Sequence, residues 1–214
     1  ARLLGGRVNS SRKFELRQRT LEAKSRMRSQ KGRGIMGARI DLLPHQMYIA
    51  NEVGLRHAPR VLLADEVGLG KTIEACLIMH RQIVLGKISR ALVLVPEPLV
   101  HQWFIELLRR FSLQFAIFDE ERCASIESGG DEDSVVLEEE SNENINPFLD
   151  DQLVLASVGL LADDERRASQ ALEAGWDMLI VDEAHHLEWS QEQVSKEYEA
   201  VSYTHLRAHE TETN

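Results

Sequence analysis

A phosphate-binding pattern at residues 62–75, LLADEVGLGKTIEA, restricts the folds that are open to this chain. Its Gly-Lys-Thr at 70–72 supplies a glycine that lets backbone amides approach a phosphate, a lysine that reaches the terminal phosphates, and a hydroxyl that holds Mg²⁺. The apolar run at 60–64 predicts a buried strand, and the sequence from 73 onward predicts a helix whose N-terminus faces the phosphates. Strand, loop and helix in this order predict an α/β nucleotide-binding fold.

A second acidic motif follows another apolar run, in the sequence MLIVDEAHHLEWS. Asp182 and Glu183 come directly after the run at 178–181. Ligands bind at the carboxyl ends of parallel strands, so Asp182 is predicted to reach the Mg²⁺ held by Thr72. Glu183 is predicted to orient or deprotonate the attacking water, because phosphoryl transfer to water depends on positioning and charge neutralisation. Together the two motifs predict ATP and Mg²⁺ as cofactors.

The histidines and cysteines do not predict a zinc site or a disulfide framework. His185 and His186 are adjacent, so they do not share a helix face, and no third ligand has a suitable spacing. Cys76 and Cys123 lie far apart without Cys-x-x-Cys spacing, which favours reduced thiols. Cys76 is expected in the core.

Short apolar runs alternate with helical patterns along the chain. One helical stripe consists of Leu99, Trp103, Leu107 and Phe111. The predicted strands are 60–64, 91–95, 114–118, 152–156 and 178–181. This alternation predicts a mostly parallel sheet with helices on both faces.

The net charge of −10 conceals a strong asymmetry. Residues 1–40 hold twelve Lys or Arg against two Glu, and they read as a solvated helix followed by a Gly-rich link. One interpretation is contact with nucleic-acid phosphates or an acidic partner, because clustered basic residues give a salt-sensitive attraction. The other is a polar helix that connects two domains. The sequence leaves both open.

The segment 127–146 has the opposite charge, with eight acids and no bases. Such a segment buries too little apolar area to offset its ordering entropy. It is predicted to be a mobile surface insertion between core strands.

No apolar run approaches eighteen residues, and the basic N-terminal region has no apolar secretory segment. Neither a membrane span nor an export signal is therefore predicted. The expected location is the cytoplasm.

The motifs resemble those of superfamily-2 helicases, specifically the Swi/Snf-type DNA translocases. DEVGLGKT at 65–72 is similar to their motif I, in which an acid stands at the position of the usual first glycine. ALVLVPEPLVHQW at 91–103 resembles motif Ia, which contacts the DNA backbone in that family, and LLPHQMYIA at 42–50 is similar to the glutamine motif. The DEAH box consists of Asp182, Glu183, Ala184 and His185.

The resemblance implies a RecA-like P-loop NTPase lobe and a role for each motif residue. Lys71, Asp182 and Glu183 would act in catalysis, and Thr72 and Asp182 would hold Mg²⁺ with ATP. Gln46 would read the adenine edge. The residues implied in nucleotide binding are Gln46, Asp65, Glu66, Val67, Gly68, Leu69, Gly70, Lys71 and Thr72.

Longer stretches, among them HQWFIELLRRF and WDMLIVDEAHHLEWS, resemble the bacterial branch of this family that associates with RNA polymerase. That likeness implies RNA polymerase and double-stranded DNA as partners and a cytoplasmic, nucleoid-associated location. Two alternatives stay open. One is a strand-separating DEAH-type helicase, and the other is a non-catalytic docking module.

Three regions follow from these patterns. Residues 1–40 form a basic helical linker, of which 1–30 are expected to be mobile, and residues 41–201 form the first ATP-binding lobe. SYTHLRAHETETN at 202–214 resembles a translated sequencing adapter and is predicted to be non-native and unpacked, so the zinc-like spacing of His205 and His209 is set aside. The family's second lobe, with its arginine fingers, is not among the 214 residues, so this chain alone is expected to be inactive.

Overall fold

The computed structural model describes residues 11–29, 35, 37–41, 43–56, 59–64, 70–129, 145–186, 195 and 198. The helices are α1 (Ser11–Ser29), α2 (Pro44–Leu55), α3 (Lys71–Val84), α4 (Val100–Phe111), α5 (Glu120–Glu127), α6 (Val158–Ala162) and α7 (Glu165–Glu173). The strands are β1 (Ala91–Val95), β2 (Ala116–Phe118), β3 (Leu153–Ser157) and β4 (Met178–Val181). Short 3-10 turns lie at Glu97–Leu99, Pro147–Leu149 and Ala184–His186.

The four strands form one parallel sheet in the order β2-β3-β1-β4. Val93 in β1 pairs with Leu155 in β3 and with Ile180 in β4. Parallel neighbours require crossover connections, which the intervening helices supply. The predicted α/β class with a mostly parallel sheet is confirmed.

Helices cover both faces of this sheet, as the alternation of β1 side chains shows. Ala91, Val93 and Val95 belong to a core cluster with residues of α2, α3 and α4. Leu92 and Leu94 belong to a second cluster with residues of α5, α6 and α7. All five β1 side chains are buried. A continuous apolar run is what a parallel strand needs when both of its faces are covered.

Most strand predictions agree with the structure, and one is wrong. The runs at 91–95 and 178–181 have the predicted bounds, while β2 and β3 begin two residues and one residue later than predicted. Residues 60–64 lie outside the strands of the described chain. Val61 and Leu62 are 41% and 77% exposed, so these side chains lack the burial that would hold them in a sheet. An apolar run is therefore not a sufficient signal for a core strand.

The basic segment forms the predicted helix. Residues 11–25 of α1 are all exposed, including the apolar side chains of Phe14, Leu16 and Leu21. Arg19 and Glu15 form an i,i+4 ion pair at 2.6 Å on this surface. The exposed helix is compatible with both interpretations of the basic charge.

The acidic segment joins the fold at two positions. Gln170 donates from Nε2 to Glu127 Oε1 at 2.8 Å, and its backbone carbonyl accepts from Asn146 Nδ2 at 2.7 Å. Residues 130–144 lie outside the described residues, as do 1–10 and 202–214, so the predictions for those ranges remain predictions. One residue of α7, Gln170, therefore contacts both ends of the acidic segment.

A buried arginine organises that region, in a group called here the Arg167 cluster: Arg167, Glu120, Glu127 and Gln170. The Arg167 side chain is fully buried. Its guanidinium donates to Glu120 Oε1 at 2.6 Å and Oε2 at 3.0 Å, to Glu127 Oε1 at 2.5 Å and Oε2 at 3.1 Å, and to Gln170 Oε1 at 2.9 Å. Hydrogen bonding to Arg167 lowers the pKa of Glu127 to about 2. The cluster ties α5 to α7 through charge-assisted bonds.

Candidate nucleotide-binding site

The phosphate loop enters α3 through a glycine that no other residue could replace without strain. Gly70 has φ of 84°, in the left-handed region. A Cβ at this position would lie 2.8 Å from Gln46 Nε2. Gly70 is therefore required by its backbone conformation, and it lies close to the buried amide of Gln46.

Gln46 lies in the first turn of α2, and its side chain is 3% exposed. The contact with Gly70 shows that the fold brings the glutamine motif and the phosphate loop together. Its predicted role toward adenine stays a prediction.

Lys71 is the first residue of α3 and Thr72 is the second. Both therefore stand where a helix has free backbone N–H groups and the positive end of its dipole. The remaining predicted loop residues, which lie outside the described part of the chain, are Asp65, Glu66, Val67, Gly68 and Leu69.

Asp182 extends from the carboxyl end of β4, as predicted. Its backbone N–H donates to Leu94 O at 2.9 Å, which continues the pairing of β4 with β1 beyond the last strand residue. Its side chain accepts two hydrogen bonds, one from the Glu183 backbone N–H to Oδ1 at 2.9 Å and one from Trp103 Nε1 to Oδ2 at 2.7 Å. Both carboxylate oxygens are thus held in place.

The indole contact is a feature that the sequence analysis missed. It assigned Trp103 only to the apolar stripe of a helix, and the side chain is indeed 3% exposed. A buried indole N–H usually finds an acceptor, so a tryptophan in an apolar stripe was itself a signal that a polar partner lay nearby.

A buried cysteine of α3 is influenced by the charge of Asp182. Cys76 lies one helical turn after Thr72, so the two side chains share a face of α3. Burial raises the pKa of the Cys76 thiol, with further contributions from the carboxylates of Glu106 and Asp182. The negative charge of Asp182 therefore contributes to the raised pKa of Cys76, four residues after Thr72.

Glu183 has a strained backbone and a solvent-accessible carboxylate. Its φ of 51° lies in the left-handed region, which is uncommon for a residue other than glycine. Its side chain is 44% exposed, and Glu183 Oε2 lies 3.0 Å from His185 Nδ1. Strain of this kind is concentrated at functional sites, where the surrounding structure maintains it.

The oxygen donors fit Mg²⁺ better than zinc. A threonine hydroxyl and one carboxylate, with water and substrate phosphates, are the usual surroundings of Mg²⁺ in ATPase sites. Among the residues that the structure describes, no group of three or more His, Cys, Asp and Glu side chains could hold a metal ion by itself.

Ala184 and His185 lie in the 3-10 turn that follows Glu183. Both cysteines are free and buried.

None of the helices in the described ranges is both long and apolar enough to span a membrane.

Comparison with known sequences gives one family and a set of closely similar proteins. The model of the SNF2-related domain matches residues 24–207. The chain is 51% identical over 200 residues to the RNA polymerase-associated protein RapA of Vibrio atlanticus, covering 94% of this chain and 19% of that protein. It is 50% identical to the protein of the same name from Actinobacillus pleuropneumoniae, covering 94% of this chain and 20% of that protein. The chain therefore spans about a fifth of the length of these relatives.

Among solved structures, the Sulfolobus solfataricus SWI2/SNF2 ATPase core in complex with double-stranded DNA is similar, with a TM-score of 0.57. The match covers 78% of this chain and 30% of that one at 22% sequence identity. At this identity the likeness concerns the fold alone, and it agrees with the parallel α/β sheet described above.

Proposed function

Because the chain belongs to the SNF2-related domain family, we propose that it is the ATP-binding lobe of a double-stranded DNA translocase that acts on RNA polymerase. The observation that carries the proposal is the position of Asp182. Its carboxylate is fixed at the end of β4 by two hydrogen bonds, one of which comes from Trp103 of α4. A phosphate-binding helix start and an oriented carboxylate at the end of a strand are the two halves of a P-loop ATPase site.

We assign the chemical steps to four side chains. Lys71, at the start of α3, neutralises charge on the terminal phosphates, and Thr72 and Asp182 provide oxygen ligands to the metal. Mg²⁺, when bound, neutralises charge on the transferred phosphoryl group. Glu183 accepts a proton from the attacking water or orients it, for which its exposed carboxylate is accessible.

The nucleotide base is assigned to the side of the loop that Gln46 occupies. The Gln46 amide already lies against Gly70, so an adenine edge that it recognised would be held beside the phosphate loop. An amide can donate and accept at once, which matches the donor and acceptor pattern of adenine.

The partners are proposed from the comparisons and from charge. Relatives named RNA polymerase-associated protein RapA are about 50% identical to this chain over 94% of its length, so RNA polymerase is the proposed protein partner. The structural neighbour is complexed with double-stranded DNA, and the exposed basic α1 could attract a nucleic-acid backbone electrostatically. A cytoplasmic, nucleoid-associated location would follow from those partners.

The decisive experiment compares ATP hydrolysis and polymerase binding in a protein that carries this lobe together with the remaining length of its relatives. The expected result is hydrolysis that double-stranded DNA stimulates, and binding to purified RNA polymerase. Polymerase binding without hydrolysis would support the docking-module alternative instead. Strand separation of a short duplex at a rate comparable to ATP turnover would support the DEAH-type helicase alternative.

The chain of 214 residues by itself is expected to bind ATP weakly and to hydrolyse it at or near background. The family resemblance implies that transition-state arginines come from a second lobe, and such arginines contribute about 10³-fold to 10⁵-fold in rate. Phosphate release with and without DNA measures this directly. Strong DNA-stimulated turnover by these residues alone would contradict the prediction.

A further inference from the structure

We propose that Trp103 is a positioning residue for the magnesium-binding carboxylate, and that its indole N–H holds Asp182 in the orientation that binds Mg²⁺. The inference rests on the proposed function, since it assigns a task within the same ATP site. Its basis is the hydrogen bond from Trp103 Nε1 to Asp182 Oδ2 at 2.7 Å.

The two hydrogen bonds on the Asp182 side chain have different origins. The bond from the Glu183 N–H to Oδ1 is local, since the donor is the next residue in the chain. The bond from Trp103 comes from α4, 79 residues earlier. A local bond moves with the Asp182 backbone, whereas a bond from another element fixes the carboxylate relative to the fold. Trp103 therefore sets the side-chain orientation with respect to the sheet.

The indole itself has little freedom to move. Trp103 is 3% exposed and belongs to the same core cluster as Val100, Leu107 and Phe111, its neighbours on the buried face of α4. A donor locked by packing is pre-organised, so the carboxylate is oriented before metal arrives. Carboxylate ligands of metals are commonly hydrogen-bonded in this way, and the loss of such partners weakens metal binding.

The chemistry of the donor suits this task. An ionised carboxylate has about four acceptor positions, so one hydrogen bond on each oxygen leaves room for a metal ion or its water. The indole N–H is neutral, so it orients Asp182 without cancelling the charge that attracts Mg²⁺. An arginine or lysine in its place would compete electrostatically with the metal.

The chain also contains a matched control. Trp176 Nε1 donates to Ala171 O at 2.8 Å, in a partly buried setting comparable to that of the Trp103 bond. Trp176 packs against the core cluster on the face of the sheet opposite to Trp103. Trp103→Phe and Trp176→Phe each remove one indole hydrogen bond of similar length and keep an aromatic ring.

The test measures binding of a fluorescent ATP analogue to the chain and to each variant, first in EDTA and then across a Mg²⁺ titration. Trp103→Phe is expected to raise the Mg²⁺ concentration for half-maximal enhancement of binding about 10-fold, the lower end of the usual effect of losing such a partner, with affinity in EDTA unchanged. Trp176→Phe is expected to leave both values as in the parent chain. Equal Mg²⁺ dependence in the two variants would overturn the proposal, and so would a loss of affinity by Trp103→Phe that is as large in EDTA as in Mg²⁺.

A spectroscopic measurement covers the case in which Trp103→Phe does not fold. The chain has three tryptophans, so Trp176→Phe and Trp189→Phe identify the ¹⁹F resonance of a fluorotryptophan at position 103 by elimination. Adding Mg²⁺ to the nucleotide-bound protein is expected to shift that resonance and to leave the Trp176 resonance in place. An unmoved Trp103 resonance would overturn the proposal.

Different experimental outcomes would refute the role of Trp103 and the ATP site as a whole. This chain alone is expected to bind ATP weakly, so the ATP site itself would be refuted if a protein that carries this lobe with the remaining length of its relatives bound no ATP analogue with or without Mg²⁺. Trp103 would then have no metal ligand to position. If the parent chain bound the Mg²⁺ complex normally while both measurements at position 103 showed no effect, only the role of Trp103 would be refuted.

Discussion

Glu183→Gln is expected to abolish ATP turnover while leaving ATP binding intact, in a protein that carries this lobe with the remaining length of its relatives. Gln has the shape of Glu but cannot accept the proton of the attacking water. Loss of a general base costs about 10²-fold to 10⁴-fold in rate. The Glu183 side chain is partly exposed and contacts His185, so the substitution leaves the buried core unchanged. Single-turnover phosphate release and equilibrium nucleotide binding measure the two effects separately.

Lys71→Ala is the comparison variant for Glu183→Gln, because the two residues are assigned to different steps. Lys71 opens α3 and is assigned to the ground-state phosphates, so its loss is expected to remove binding as well as turnover. A Glu183→Gln protein that hydrolysed ATP at the parent rate would show that another group activates the water. A Lys71→Ala protein with parent affinity would show that the α3 N-terminus alone binds the phosphates.

Arg167→Ala is expected to destabilise the fold by about 3 kcal/mol, the low end of the range for breaking a buried charged pair. The low end applies because the Glu120 side chain is 58% exposed and can be rehydrated when its partner is removed. Arg166 is the matched control, since it also pairs with Glu127, at 3.2 Å, but its own side chain is 56% exposed. Arg166→Ala is therefore expected to cost less than about 1 kcal/mol. Urea unfolding of the two variants and the parent measures the difference.

The same cluster predicts how stability depends on pH. The pKa of Glu127 is lowered from 4.5 to about 2 in the folded protein, with hydrogen bonding to Arg167 as the main cause. The folded state therefore binds fewer protons than the unfolded state between those values. The contribution of Glu127 is fully present above the unfolded pKa and is lost as the pH falls toward 2. In Arg167→Ala this acid dependence should flatten, and an unchanged dependence would contradict the assigned role of the Arg167 cluster.

The local motifs were readable from the sequence because each one depends on a short span of chain. Gly70 with Lys71 and Thr72 demands a tight entry into a helix, and the structure shows Gly70 in the left-handed region directly before α3. The apolar runs at 91–95 and 178–181 became parallel strands with the predicted bounds. In such elements the apolar pattern and the flanking residues favour the same secondary structure, so the local sequence is sufficient to predict it.

The strand prediction was wrong where an apolar run is exposed rather than buried. The run at 60–64 looks like a core strand, but Val61 and Leu62 are exposed and the described residues there do not pair with the sheet. Whether an apolar run is buried depends on what packs against it, and that partner lies elsewhere in the chain.

By itself, the sequence determined the α/β class, the glycine entry into α3 and the place of the acidic pair after β4, since short-range patterns specify these features. The tertiary structure decided which distant side chains act together. It brought Gln46 to Gly70, placed the Trp103 indole on Asp182, and buried Arg167 between two glutamates. Residues in these contacts are 24 to 79 positions apart, and no local periodicity relates them. The physical reason is that hydrogen-bond geometry and burial are set by the packing of whole elements, which appears only when the sheet and both helical layers are assembled.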